Sequence, residues 1–296
     1  MTISIANTPL SWGVHEEGNT TRSFVEVLDQ IKETGYAGTE LGPWGFLPTD
    51  PAVLRNELHS RELALAGGSL YANLIDPQAH DHIVEQARER GRLLAALGAR
   101  FLVLMDEMKP DSKLARQAGR VRASRLTDDE WDVFATGVNH VAQALNDETG
   151  LRVAFHPHVG THVEIPEEAR NLLDRADADL VGLCLDTGHW CYAGGDPETA
   201  VDEYGDRIWH VHLADIDPNI RQFALDEQLT FYEAMQTGVF CPLGEGEVNF
   251  TAVLDDLRRI HYRGWLVVEQ DNLLDEPDAD RSNARSNREY LSKLGF

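Results

Sequence analysis

The stretch VGLCLDTGHW, residues 181–190, decides how the rest of the chain is read. Val181 to Leu185 carry no charge and no amide side chain, so the run is short enough for a strand and apolar enough to be covered on both faces. It stops on the carboxylate of Asp186, and a polar turn, Thr187-Gly188-His189, follows. The same grammar recurs on either side. FLVLMD ends on Asp106, RVAFH on His156, WHVHLAD carries His210, His212 and Asp215, and WLVVEQ ends on Glu269 and Gln270. The strand candidates are Ile3–Asn7, Gly38–Leu41, Ala64–Ser69, Phe101–Asp106, Arg152–His156, Val181–Asp186, Trp209–Leu213 and Trp265–Gln270, eight in all.

Between them, apolar residues return at helical spacing over Thr21–Thr34, Pro51–Arg61, His80–Leu97, Asp128–Thr149, Pro166–Ala176, Pro197–Tyr204 and Phe250–His261. Arg221–Gly238 and Asp280–Leu294 read as helical too. Thr127 and Glu130 have the spacing of a capping box. Pro51, Pro166 and Pro197 suit a first helical turn, and Gly35, Gly98 and Gly150 suit the position just past a helix end. Strand and helix alternating eight times, with no change of composition regime, predict a single (β/α)8 TIM-barrel domain over residues 1–296. An open doubly wound sheet would carry GxGxxG after the first strand, where Ser11-Trp12-Gly13 stands.

The chain has 296 residues, 42% of them hydrophobic, which is enough for a barrel core. It has 26 Lys and Arg against 50 Asp and Glu, a formal charge of −24. Such a surface repels phosphate backbones and anionic lipid, so nucleic acid and membrane are not expected partners. No apolar run approaches a membrane span, and the N-terminus lacks the basic and apolar regions of a signal peptide. Three sparse cysteines, Cys184, Cys191 and Cys241, predict a reducing, cytoplasmic setting without a disulfide framework. Lysine occurs only at Lys32, Lys109, Lys113 and Lys293, none at a strand end, which argues against Schiff-base chemistry. Oligomeric state is not written in these patterns, although barrels often assemble through their helices into homo-oligomers.

Barrel sites are built at the C-terminal rim of the strands. Strands five to eight end in His156, Asp186, His212 and Glu269. Equivalent heights on neighbouring parallel strands put the four on one arc, and two imidazoles with two carboxylates suit one divalent ion such as Mn²⁺, Co²⁺, Fe²⁺ or Zn²⁺. Glu40, His158, Glu164 and His189 are the candidate acid and base groups. Glu40 is expected to face the bowl from the side opposite the arc, with an ion pair to a rim arginine such as Arg221 as its structural alternative. Trp12, Trp44 and Trp190 can wall the pocket, or simply pack. His210 lies one layer below His212, where it either supports the site or fills the barrel. Asp215 either orients a rim residue or caps the next turn. The segment Asp217–Phe240, with Arg221, is longer than an ordinary connection and reads as a lid or partner contact. The Gly244–Gly246 turn can bring backbone close to substrate, but it lacks the Lys and Ser/Thr of a phosphate loop.

At these residues the sequence resembles the xylose-isomerase-like superfamily of sugar isomerase and epimerase barrels, on LCLDTGHW, HVHLAD, Pro242 to Phe250 and GWLVVEQD. Those signatures span the C-terminal half, and the eightfold alternation extends the likeness over the whole chain. Ser11-Trp12-Gly13, Gly38-Thr39-Glu40-Leu41-Gly42 and His156-Pro157-His158-Val159-Gly160-Thr161 bring it nearest to the myo-inosose-2 dehydratase family. His156 stands where many epimerases of the superfamily place a metal-binding Glu. The resemblance implies a lyase dependent on Mn²⁺ or Co²⁺ that removes water from 2-keto-myo-inositol in inositol catabolism, through a metal-stabilised enolate. A sugar isomerase or epimerase on the same barrel is the alternative. An apurinic endonuclease of this fold is disfavoured by the acidity, and a non-catalytic sugar-binding protein by the complete ligand set.

Overall fold

Parallel strands need a crossover, and the helical stretches supply it. The computed structural model of the chain describes residues 3–15, 22–110, 112–270 and 279–296. Its strands are β1 (Ser4–Asn7), β2 (Gly38–Glu40), β3 (Ala64–Gly67), β4 (Ser69–Ala72), β5 (Phe101–Asp106), β6 (Arg152–Phe155), β7 (Val181–Asp186), β8 (Ile208–Leu213), β9 (Asp215–Ile216), β10 (Phe240–Cys241) and β11 (Trp265–Val268). The helices are α1 (Phe24–Glu33), α2 (Pro51–Ser60), α3 (His80–Ala96), α4 (Lys113–Arg116), α5 (Asp128–Thr149), α6 (Pro166–Arg175), α7 (Thr187–Tyr192), α8 (Pro197–Tyr204), α9 (Pro218–Asp226), α10 (Phe231–Gln236), α11 (Phe250–Arg259) and α12 (Ala279–Lys293). Among the described residues no helix is long and apolar enough to cross a membrane.

The sheet runs β3-β2-β1-β11-β8-β7-β6-β5-β4, all parallel. Its two ends, β3 and β4, are consecutive in the chain with only Gly68 between them. They are two parts of one stave, so the ring closes as an eight-stave TIM barrel. Gly68 allows the break because a Cβ there would press on Leu41 Cδ1 and Leu94 Cδ2. The strands stand where the sequence patterns put them, to within a few residues. Thr21, the first residue of the first expected helix, lies outside the described residues. Thr127 and Glu130 close the expected capping box, and Gly150 ends α5 in the left-handed conformation. The expected helix over Arg221–Gly238 is in fact two, α9 and α10, and α4 and α7 have no counterpart in the periodicity reading.

The large core lies between staves and helices. Two small clusters face the barrel axis instead. One holds Phe101, Val103, Met105, Ala154 and Cys184 against Trp209, and the other Ala6, Ala66 and Val267 against Trp265. At the top, Asp215 at the start of β9 is buried and accepts N–H bonds from Gly244 (2.8 Å), Gly246 (2.9 Å), Val248 (3.0 Å) and Ile216 (3.0 Å). A Cβ at Gly246 would collide with Asp215 Oδ1 and the Ile216 carbonyl. The Gly244–Gly246 turn is thus a clasp around a carboxylate, which answers the role of both. Asp215→Ala strands buried N–H donors and is expected to cost about 1–3 kcal/mol. Gly246→Ala should destabilise in the same direction, and denaturant unfolding of the two variants measures both.

Candidate metal centre

Successive strand residues point to opposite faces, so a step of two keeps a side chain facing the barrel axis. From Ala154 the step leads to His156, from Cys184 to Asp186, from His210 to His212 and from Val267 to Glu269. Local bonds set the heights of these rim residues. Thr187 Oγ1–H donates to the Ala214 carbonyl (2.7 Å) and Ala214 N–H returns to Thr187 Oγ1 (3.0 Å), which ties the ends of β7 and β8. Glu269 N–H donates to the Leu213 carbonyl (3.0 Å), and Ser11 Oγ accepts the N–H of Gln270 (2.9 Å). Ser11-Trp12-Gly13 therefore fastens the strand end that carries Glu269.

The four side chains are buried and meet. His212 Nδ1 is 2.8 Å from Glu269 Oε2 and 3.8 Å from Asp186 Oδ2, and His156 Nε2 is 3.7 Å from Asp186 Oδ2. Asp186 Oδ2, His212 Nδ1 and Glu269 Oε2 have no hydrogen-bond partner. The approach of His212 to Glu269 has ion-pair distance without hydrogen-bond alignment, as expected when two donor atoms aim past each other at a shared point. Other contacts free the atoms that face inward. His156 Nδ1–H donates to the Pro157 carbonyl (2.9 Å), which leaves Nε2 as the lone pair. Asp186 Oδ1 accepts the His189 N–H (2.7 Å) at the start of α7, which leaves Oδ2. Buried polar atoms without partners are costly, and a divalent ion satisfies these.

Beside this group His158 and His189 lie with ring centres 4.0 Å apart. His158 Nδ1–H donates to the Val159 carbonyl (2.8 Å), so its Nε2 is a proton acceptor. Val159 N–H donates to His189 Nδ1 (3.3 Å), so in the neutral ring Nε2 carries the hydrogen. Burial, then the neighbouring His156, pushes His158 down to about 3. Burial and the adjacent His158 and His156 lower His189 well below the ordinary histidine value. Both rings are thus neutral, one an acceptor and one a donor. Phe231 of α10 stands 5.7 Å from His158 and 5.2 Å from His189, and Phe240 of β10 5.7 Å from His189. Tyr71 meets His158 edge-on at 6.4 Å.

The other expected site residues are distributed differently. Glu40 is carried by β2, across the ring from β7. It is buried, with Oε1 2.7 Å from His210 Nε2 and 3.3 Å from His212 Nε2, and the two histidines take the place of the expected arginine partner. Glu164 stays outside the group, with its oxygens taken by the N–H groups of Gly119 (2.7 Å) and Gly160 (2.9 Å). Trp12 is fully buried and donates Nε1–H to Asn7 Oδ1 (2.8 Å), while Trp44 lies under the guanidinium of Arg90. Arg221 donates to the Tyr192 carbonyl (3.2 Å) and sits 3.4 Å from Glu247. His162 is drawn away by Asp106, which accepts its N–H (2.9 Å) and its Nδ1–H (2.8 Å). Burial pushes the thiols of Cys184 and Cys191 up to about 11 and about 12, leaving neither as a thiolate.

Phe231 and Phe240 were not singled out by the sequence reading. Their signal was the over-long Asp217–Phe240 segment, which folds as α9 and α10 and returns to pair β10 antiparallel with β9. It walls the histidine pair.

Comparison with known proteins shows the family. The model of the xylose isomerase-like TIM barrel family matches residues 28–294. The rhizopine catabolism protein MocC of Rhizobium meliloti is 35% identical over 276 residues, covering 91% of this chain and 82% of that protein. An inosose dehydratase of Geobacillus kaustophilus (strain HTA426) is 31% identical over 274 residues, covering 91% and 86%. Among solved structures, the IOLI protein with a bound zinc atom superposes with a TM-score of 0.70 at 15% identity, covering 99% of this chain and 98% of that one.

The partnerless charge of Asp186 makes a prediction. Asp186→Asn keeps the Oδ1 cap of α7 and removes the charge, so in a chelator it should melt no lower than the parent protein. The rise in melting temperature that Mn²⁺, Co²⁺ or Zn²⁺ gives the parent should disappear. Thermal unfolding with and without metal checks both.

Proposed function

We propose, on the premise that this chain belongs to the xylose isomerase-like TIM barrel family, that it is a divalent-metal-dependent dehydratase of 2-keto-myo-inositol in inositol catabolism. The chain is an enzyme, a hydro-lyase, and its relatives make a keto-polyol its substrate class. One observation carries the finer reading. The partnerless atoms Asp186 Oδ2, His212 Nδ1 and Glu269 Oε2 face one another beside two neutral histidines of opposite tautomer.

The ion would be held by His156, Asp186, His212 and Glu269. Nitrogen and oxygen donors in equal number fit Mn²⁺ or Co²⁺ first, with Zn²⁺ or Fe²⁺ as alternatives, and zinc is the metal bound by the IOLI protein. When bound, the ion supplies positive charge beside the keto oxygen and lowers the energy of the enolate. The side chains do the rest. His158 takes the proton from the carbon next to the carbonyl at its free Nε2, and the bond electrons move to the keto oxygen. As the enolate collapses, the β-hydroxyl leaves as water with the proton that His158 has taken up, while the Nε2–H of the neutral His189 donates a hydrogen bond to the departing oxygen. Phe231 and Phe240 exclude bulk water from the pair and so keep the donor and the acceptor distinct.

Turnover of 2-keto-myo-inositol should generate the absorbance of a dehydrated, enone-type diketone. It should vanish after chelation and return with Mn²⁺ or Co²⁺. His158→Gln should lower kcat by about 10²–10⁴-fold. Its Mn²⁺ affinity should stay near that of the parent protein. A keto-polyol that is converted without any absorbance change sinks the dehydratase and leaves an isomerase or epimerase.

A further inference from the structure

We infer that Glu40 is a positioning residue, which holds His212 as the tautomer whose Nδ1 lone pair faces the metal centre. The inference rests on reading that centre as a metal site. His212 Nδ1 faces Asp186 and Glu269, and its Nε2 faces Glu40 Oε1 at 3.3 Å. A carboxylate is acceptor only, so that contact requires the hydrogen on Nε2 and leaves Nδ1 free to ligate.

The surroundings of Glu40 are arranged for this. Glu40 follows Gly38 by two, and a Cβ at Gly38 would meet the Trp265 ring, so alternation along β2 aims the Glu40 side chain at the axis. His210 Nε2–H donates to the same Oε1 at 2.7 Å from the layer below, so the carboxylate is braced from beneath as it reaches His212. Gly67 leaves the space, since a Cβ there would stand 3.0 Å from Glu40 Oε1 and 3.6 Å from His210 Cε1. Ligand atoms of Glu40, His210 and His212 also lie within 4.8 Å of one another, close enough to share an ion. Their facing atoms are already spent on hydrogen bonds, however, whereas the atoms of the upper group are not. A second ion is therefore not required, and Glu40 belongs to the support of the first.

Titration of Mn²⁺ into the metal-free protein by calorimetry tests this directly. Glu40→Ala should weaken Mn²⁺ binding by about 10–100-fold. Glu40→Gln keeps a carbonyl oxygen and the side-chain volume, guards against a folding defect, and should fall between the two. With Mn²⁺ raised to saturation, kcat of Glu40→Gln should recover to within about tenfold of the parent value, because no proton passes through this residue in the step proposed. Unchanged Mn²⁺ affinity in both variants overturns the inference, and if kcat then stays low Glu40 is a catalytic residue. A parent protein that binds none of Mn²⁺, Co²⁺ and Zn²⁺ overturns the metal reading itself, a result distinct from equal binding by parent and variant.

Discussion

Two buried carboxylate oxygens without a donor, Asp186 Oδ2 and Glu269 Oε2, are what the rest of this molecule is organised around. In an apolar interior an anion lacking a partner costs several kcal/mol, and the usual remedies are a proton, an arginine or a metal. Arg221 and Arg125 are spent elsewhere, the first on Tyr192 and Glu247 and the second on Glu168. The imbalance is visible on His212. Burial opposes its charged form, yet Cys184, Glu269 and Glu40 raise its pKa well above the ordinary value. The field at that point demands positive charge, and the neighbouring histidines do not supply it. His156, with its Nδ1 hydrogen committed to a carbonyl, presents a lone pair instead.

The arc was legible in the sequence because strand geometry is periodic. Once Val181–Asp186 is read as an inward-facing strand, a polar residue at its end has only the rim to occupy, and the argument repeats for β6, β8 and β11. Glu40 was legible as a bowl-facing acid or base candidate but not by its partners, because His210 and His212 lie 170 and 172 residues further along the chain. The short helix α7 was hidden for another reason. It has no amphipathic stripe, because all six of its residues are buried, and it begins on a cap, Asp186, whose other oxygen already has a reading.

Carboxylates at the rim divide by a property that sequence does not carry, namely whether backbone N–H groups converge on them. Asp106, Asp215, Glu164 and Glu168 are as buried as Asp186 and Glu269. Asp106 holds His162, Asp215 gathers the Gly244–Gly246 turn, and Glu164 gathers Gly119 and Gly160. Glu168 accepts from Arg125 and from the N–H groups of Glu164 and Ile165. These acids spend their lone pairs on the loops, which fixes the loops and frees none of the four for chemistry. Glu164 and Trp12 were therefore plausible from position alone and were decided by donors and packing three or more residues away.

In the dehydration proposed above, the histidine pair bears on the stereochemistry. Inverting a carbon centre requires a proton to leave from one face and return on the other, so an epimerase needs its two proton-handling groups on opposite sides of the substrate. His158 and His189 cannot flank a ring. Their centres are 4.0 Å apart, closer than the thickness of a sugar between two contact distances would allow. Two groups on one side can instead remove a proton and protonate a leaving oxygen on the same face, which is a syn elimination. The His tautomers agree with that order, since the acceptor and the donor are both present before the first proton moves. Elimination uses both, the acceptor for the proton and the donor to hold the leaving oxygen; a one-base isomerisation needs only the acceptor and would leave the His189 hydrogen without a task.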